Sequence, residues 1–360
     1  MFSCTEAVTS AAVTRTVAPS VKLGQFKAGE TYRRIMGKPR RRPPSSRRQH
    51  TVPRFYLKRF ADVDERIVRV PIDVGQDPRL CGIKDVAVRN DFYSFPDGTG
   101  QLDDSVEVAL SKLEGEAARV FRIVVEGHCW PLPAGERKTM AEWVAAQFLR
   151  VPAKRQAANE VFDHLTKTMM AIEGRNGLRE RLEADSGGPV SDEEVEQRWA
   201  EKTDFSSYTV EPPVVHHLAS LADGIPAAAD VLMQRGWVLY RFARKKLITT
   251  DHPVILIRDP RTPSFLGVGL ATAAGVALSL DRRVALLMSA PGAPDRAGAP
   301  STASAMEFNQ RFAFGSRTAI FHHPDDEPLI GVELPPSRTR EMRVSLDPED
   351  FIRPEPLHDA

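Results

Sequence analysis

Trp237-Val-Leu-Tyr-Arg-Phe242, Lys246-Leu-Ile-Thr-Thr250 and Pro253-Val-Ile-Leu-Ile257 stand in close succession after Gly236. Each is a short run of β-branched, aromatic and aliphatic residues bounded by polar turn residues, too short and too closely punctuated for helices, and together they read as strands. The texture continues at 276–280 and 284–288, and a last run of this kind lies at 318–322. Upstream the period changes. Val106, Leu110, Leu113, Ala117, Val120 and Val124 recur at spacings of four and three, opposite a face of Lys, Glu and Arg. Asp104 or Ser105 can cap that helix and Gly127 can stop it. A second helical tract begins near Pro133 with Met140, Trp143, Val144 and Phe148 on one side, and resumes with Val161, Leu165, Met169 and Ile172 on its apolar side. Pro152 lies between the two and, lacking an N–H, should kink or divide them. Ser191-Asp-Glu-Glu194 reads as a capping box for a third piece. Another helix is expected from Val214 to about Arg235, and a short one over 304–312. Helices in the middle, strands at both ends and no β-α-β alternation predict an α+β fold: a central helical layer packed against a mostly antiparallel C-terminal sheet. Runs at 67–74 and 85–95 predict a small N-terminal strand pair.

With 360 residues, 42% hydrophobic and 27% charged, the chain can bury a large core, and disorder throughout is excluded. Its 49 Lys and Arg nearly cancel 48 Asp and Glu, so the overall charge selects neither a polyanion nor a polycation as partner. The balance hides a split: residues 1–48 hold eleven Lys or Arg against two Glu, a segment of about +9. Its Lys38-Pro-Arg-Arg-Arg-Pro-Pro-Ser-Ser-Arg-Arg48 stretch combines repelling charges with helix-blocking prolines and reads as a solvated, disordered basic arm. The domain division expected is this arm over 1–48, one α+β domain over 49–323 and a polar tail over 324–360. No run reaches the roughly 18 apolar residues of a membrane span, so no membrane partner is expected. Three scattered cysteines, Cys4, Cys81 and Cys129, favour a reducing compartment, hence a cytoplasmic location.

The sequence excludes more catalytic motifs than it contains. Asp185-Ser-Gly-Gly-Pro189 resembles the nucleophile segment of trypsin-like serine proteases, but the flanking sequence is periodic helix and the glycines read as punctuation between helices. Neither phosphate-cradling glycine motif is present, no metal constellation is legible and the residues point to no particular cofactor. The polar interruption of the β run at Asp251 and His252 is the strongest local candidate; it is either the edge of a pocket or a tight turn in which Asp251 bonds nearby main chain. His50, with Arg54 and Tyr56 following, can gather imidazole, guanidinium and phenol for an anionic group, or can simply cap a helix. Arg150 beside Pro152 can bind a substrate or exposed carbonyls, and Asn309, between Phe308 and Phe312, can bind a substrate or tether a strand.

These positions, in order and spacing, resemble the domain-of-unknown-function 4238 family, found mostly in bacteria. The matching elements are His50, Pro53, Tyr56, Leu57 and Phe60; Phe92-Tyr93; the Glu-rich helix; Arg150-Val151-Pro152; Trp237; Thr249-Thr-Asp-His-Pro-Val254; Leu278-Ser279-Leu280; and Asn309. Thr250 stands where a Ser is usual, and the expected prolines near Leu280 are missing. The resemblance implies a shape over about 49–323 and no reaction.

The function expected is that of a cytoplasmic enzyme or ligand-binding domain for an anionic, phosphoester-type substrate, in a pocket between the helical layer and the C-terminal sheet. Asp251 would orient His50 or His252 as general base, while Arg54, Tyr56, Arg150 and Asn309 would bind the substrate. The alternative is a non-enzymatic interaction module that contacts nucleic acid through the basic arm. A metal-dependent nuclease lacks its carboxylates.

Overall fold

The computed structural model describes residues 12–13, 48–73, 76–96, 102–263, 266–336 and 347–352. The basic arm therefore lies outside the described residues except for Ala12–Val13 and Arg48, and the tail is described at 324–336 and 347–352.

In chain order the elements are β1 (Ala12–Val13), β2 (Arg48–His50), α1 (Arg54–Leu57) with a 3-10 turn to Phe60, β3 (Arg66–Pro71), β4 (Arg79–Gly82), β5 (Val88–Asn90), β6 (Phe95–Pro96) and β7 (Leu102–Asp103). The helices α2 (Ser105–Val125), α3 (Ala134–Leu149), α4 (Pro152–Ser186) and α5 (Asp192–Thr203) follow, then β8 (Val210–Glu211) and α6 (Val214–Met233). The chain closes with β9 (Arg235–Arg241), β10 (Thr249–Thr250), β11 (Ile255–Ile257), β12 (Gly275–Ser279), β13 (Val284–Pro291), β14 (Arg296–Ala297), α7 (Thr302–Gly315) and β15 (Ala319–His322). The α+β class holds, and Pro152 divides α3 from α4 as its missing N–H requires.

The described chain divides into two compact units, one built on Lys154–His217 and the other on the described parts of Lys27–Ala153 and Leu218–Thr339. The larger unit holds the two-stranded pairs β2-β5 and β6-β7 and two larger sheets, in the orders β10-β15-β3-β4 and β11-β12-β13-β9-β14, antiparallel except where β14 runs parallel to β9. Alternation along the strands sorts their side chains into two cores. Ile67, Trp237, Leu239, Val276, Leu278, Leu286, Met288 and Phe321 pack with Phe121, Met140, Trp143 and Val144 of α2 and α3. Val70, Ala277, Ala285 and Ile320 point the other way and pack with Ala305, Phe308 and Phe312 of α7. The sheets thus carry a two-helix layer on one face and α7 on the other. Gly236 marks the change of period because a Cβ there would lie 2.3 Å from the Ala293 carbonyl oxygen.

Small N-terminal strand pairs are present, with partners other than those the apolar runs suggested. β3 pairs with β15 and with β4, whose two apolar residues Leu80 and Cys81 are too few to announce a strand, while β5 pairs with β2. The 246–250 run also differs: it supplies β10 to the other sheet, so the chain changes sheets between Thr250 and Ile255.

In the smaller unit α4 breaks at Gly174, which sits at φ 68°. Its expected apolar side is largely the exposed one: Val161, Leu165 and Ile172 are 45%, 52% and 61% accessible, and Met169 is half-buried. The helix instead buries Lys167, Ala171 and Leu178. Lys167 tolerates this because its ammonium donates to Asp163 and to the carbonyls of Phe205 and Tyr208, at 2.8–2.9 Å, so the charge is paired. Ser191 caps α5 by accepting from the Glu194 N–H. Ser186 bonds the Glu183 and Gly188 carbonyls at the end of α4, and Gly187 takes φ 72°, which is the punctuation the sequence suggested.

Candidate functional site

β2 pairs with β5, His50 opposite Val88, so that alternation buries Gln49 and leaves His50 half-buried. Gln49 accepts from the Tyr93 N–H at 2.6 Å and donates to the Ser94 hydroxyl at 3.0 Å. Thr51 bonds the Ala87 carbonyl with both its N–H and its hydroxyl, and its own carbonyl accepts from Gln147 at 2.9 Å. Gln147 in turn accepts from Arg150 Nε at 3.0 Å, and Arg150 Nη1 donates to Glu114 at 2.7 Å. A polar chain therefore runs from β2 and the residues after it, through the end of α3, to α2.

Arg150 is buried. Burial works against its charge, but the Glu114 carboxylate, with Tyr93 nearby, outweighs it and holds the guanidinium above its ordinary pKa. Its second terminal nitrogen, Nη2, is buried with no hydrogen-bond partner. That cost is tolerated only because the rest of the group is paired.

His50 keeps an acceptor to spare at half-burial. Its Nε2 lies 3.3 Å from the Ile83 carbonyl oxygen. A carbonyl only accepts, so the neutral ring carries its proton on Nε2 and its lone pair on Nδ1, which has no partner among the described residues. Burial lowers the imidazole pKa below its ordinary value; the Ile83 carbonyl opposes this, Arg54 adds to it, Glu114 opposes it and Arg48 adds to it. Arg48 and Arg54 sit in exposed ion pairs with Asp85 at 3.0 Å and Glu65 at 3.1 Å.

The other expected site residues go elsewhere. Asp251 uses both carboxylate oxygens on the Arg317 and Thr318 N–H groups, each at 2.9 Å, and on the Thr318 hydroxyl at 2.7 Å. It ties the turn after β10 to the start of β15, the tight-turn reading, and neither His50 nor His252 is its hydrogen-bond partner. His252 is buried, its N–H on the Thr250 hydroxyl and its ring 6.5 Å from Phe148. Tyr56 is fully buried; its hydroxyl donates to the Ser279 carbonyl and meets the Thr249 hydroxyl, both at 2.8 Å, and burial raises its pKa. Asn309 accepts from the Ile248 N–H at 3.1 Å and donates to the carbonyls of Lys246 at 2.8 Å and Pro328 at 3.1 Å, the strand tether. His50, Arg54 and Tyr56 thus diverge: one half-buried, one in solvent, one in the core. Gln49, Thr51, Glu114 and Gln147 escaped the sequence reading, since a buried glutamine has the same letters as a surface one; the three-residue step from Gln147 to Arg150 at a helix end was the available sign.

Among the described residues no group of three His, Cys, Asp or Glu side chains could hold a metal ion. Among the described residues no helix is long and apolar enough to cross a membrane. A family model described as "Protein of unknown function (DUF4238)" matches residues 48–326, and no curated protein and no solved structure matches the chain.

Proposed function

The chain belongs to the DUF4238 family, whose description carries no reaction, and from its own residues we propose that it binds and hydrolyses an anionic compound of the phosphoester class at a site centred on His50. The observation that carries the proposal is the imidazole held in one tautomer by Ile83, neutral near pH 7 and with an unspent acceptor nitrogen. That is the state a general base needs. Arg48 and Arg54 supply positive charge beside it, and exposed ion pairs such as theirs are weak enough for an incoming phosphate to displace. In the step proposed, Nδ1 takes a proton from water as the water oxygen bonds to phosphorus. The ester P–O bond breaks, and the leaving oxygen recovers a proton from the imidazolium. Asp251 has no part in it, because its carboxylate is committed to β15.

A cytoplasmic location belongs to the same proposal and is supported by two free cysteines, Cys81 and Cys129. The test is turnover of p-nitrophenyl phosphate and bis(p-nitrophenyl) phosphate by the full chain. His50→Asn is expected to lose about 10²–10⁴ in rate with its unfolding midpoint unchanged. Turnover equal in the wild type and His50→Asn, or none with either ester, would overturn the reading. Nucleic-acid binding that weakens steeply with salt and disappears on deletion of residues 1–48 would favour the interaction module instead.

A further inference from the structure

We propose that the cleft between α7 and the sheet face it covers binds a free apolar α-amino acid. This cleft, of about 290 Å³, is separate from the His50 region and is floored by Ile257 and Leu287 of the five-stranded sheet and walled by Phe308 of α7. Gly275 lets the floor close over it: a Cβ there would come 3.2 Å from Leu287 Cδ1 and 3.4 Å from Ile257 Cδ1, so any larger side chain must push both floor residues into the cleft. The size lies at the lower edge of the ~300–1,000 Å³ of small-molecule sites, which fits an amino acid and leaves little room for a nucleotide.

The rim supplies the polarity. Glu307 and Arg311 both line the cleft, one helical turn apart. Arg311 directs Nε and Nη2 at the same oxygen, Glu307 Oε1, at 3.0 and 2.7 Å. Glu307 Oε2 and Arg311 Nη1 have no partner among the described residues, and nor has the hydroxyl of Tyr240 at the same cleft. An exposed pair of this kind contributes little and is readily exchanged for a ligand. Opposite charges on neighbouring helical positions, about 5–6 Å apart at Cβ, match a head group carrying ammonium and carboxylate on one carbon. The apolar side chain of such a ligand then lies on Ile257, Leu287 and Phe308. A purely apolar ligand would leave the rim unused, and a singly charged one would leave one of the two charges without a new partner.

Saturation-transfer NMR and calorimetry on the full chain test this with L-leucine and L-phenylalanine, against N-acetyl-L-phenylalanine, which lacks the ammonium, and 2-phenylethylamine, which lacks the carboxylate. The two amino acids are expected to bind, each singly charged analogue about tenfold or more weakly, and Glu307→Gln and Arg311→Gln to weaken the amino acids by about tenfold. Gly275→Val is expected to abolish binding. Should that strand variant fail to fold, the two exposed helix variants decide alone. No saturation at about 10 mM, well above a millimolar Kd, equal binding of the singly charged analogues, or binding indifferent to both helix variants would overturn the proposal.

Discussion

Replacing Asn309 by Ala removes three hydrogen bonds from a site with no solvent access. Each contributes a net ~0.5–1.5 kcal/mol, and the Ile248 N–H, left buried without its acceptor, costs about 1–3 kcal/mol more than an exchange with water would. The expected loss is about 3–5 kcal/mol. With an m-value of roughly 3 kcal/mol/M in urea, the midpoint moves down by about 1–1.7 M. Because the chain has two compact units, the signal must come from the larger; of the four tryptophans only Trp199 lies in the smaller, so the comparison belongs in a Trp199→Phe background. Asn309→Asp is expected to be at least as damaging, since it turns two donors into acceptors against the Lys246 and Pro328 carbonyls. A substrate-binding Asn would behave oppositely, losing function with stability intact. An Asn309→Ala protein within about 1 kcal/mol of wild type would refute the tether.

Glu114→Gln leaves the buried Arg150 without its counter-ion and should destabilise by about 3–5 kcal/mol, whereas the double change with Arg150→Met should recover much of that; urea unfolding of the four proteins in the cycle measures it. His217 is depressed from 6.5 to about 4, chiefly by burial and then by Arg155. The unfolded chain therefore binds the extra proton first, so this group's contribution is fully present above pH 6.5 and is lost as the pH falls toward about 4. His217→Gln should flatten the stability of the smaller unit over that window, as followed by Trp199 fluorescence.

The helices were legible because a period of four and three residues is written directly in the sequence. Val106 to Val124 becomes α2 with that face buried. Sheet partners were not, because pairing is a backbone matter: β4 offers only Leu80 and Cys81, and β10 looks like its neighbours yet joins the other sheet. The Val161, Leu165 and Ile172 stripe misled for a related reason. Periodicity says which residues share a side, and packing decides whether that side is covered; here a paired Lys167 takes the inner one.

The polar positions divide the same way. The sequence shows which residue types have a choice between ligand and main chain, but the choice depends on groups distant in sequence: Thr318 for Asp251, Ser279 for Tyr56, Pro328 for Asn309. These bonds share a purpose. Between Lys246 and Val254 the chain leaves one sheet for the other while buried, so the main-chain groups at the crossing lose water and must find other partners. Asn309 serves Lys246 and Ile248, the Ser279 hydroxyl takes the Ile248 carbonyl, and Tyr56 joins Thr249 to Ser279. Much of the family resemblance is accordingly a description of this crossing, which is why it specifies a shape so readily and a reaction not at all. Arg150 Nη2 also lacks a partner but is buried, whereas His50 is half-buried and its Nδ1 lone pair has no protein partner among the described residues. A group left with capacity to spare at half-burial, where neutrality is enforced and solvent still reaches, is where chemistry is to be sought first.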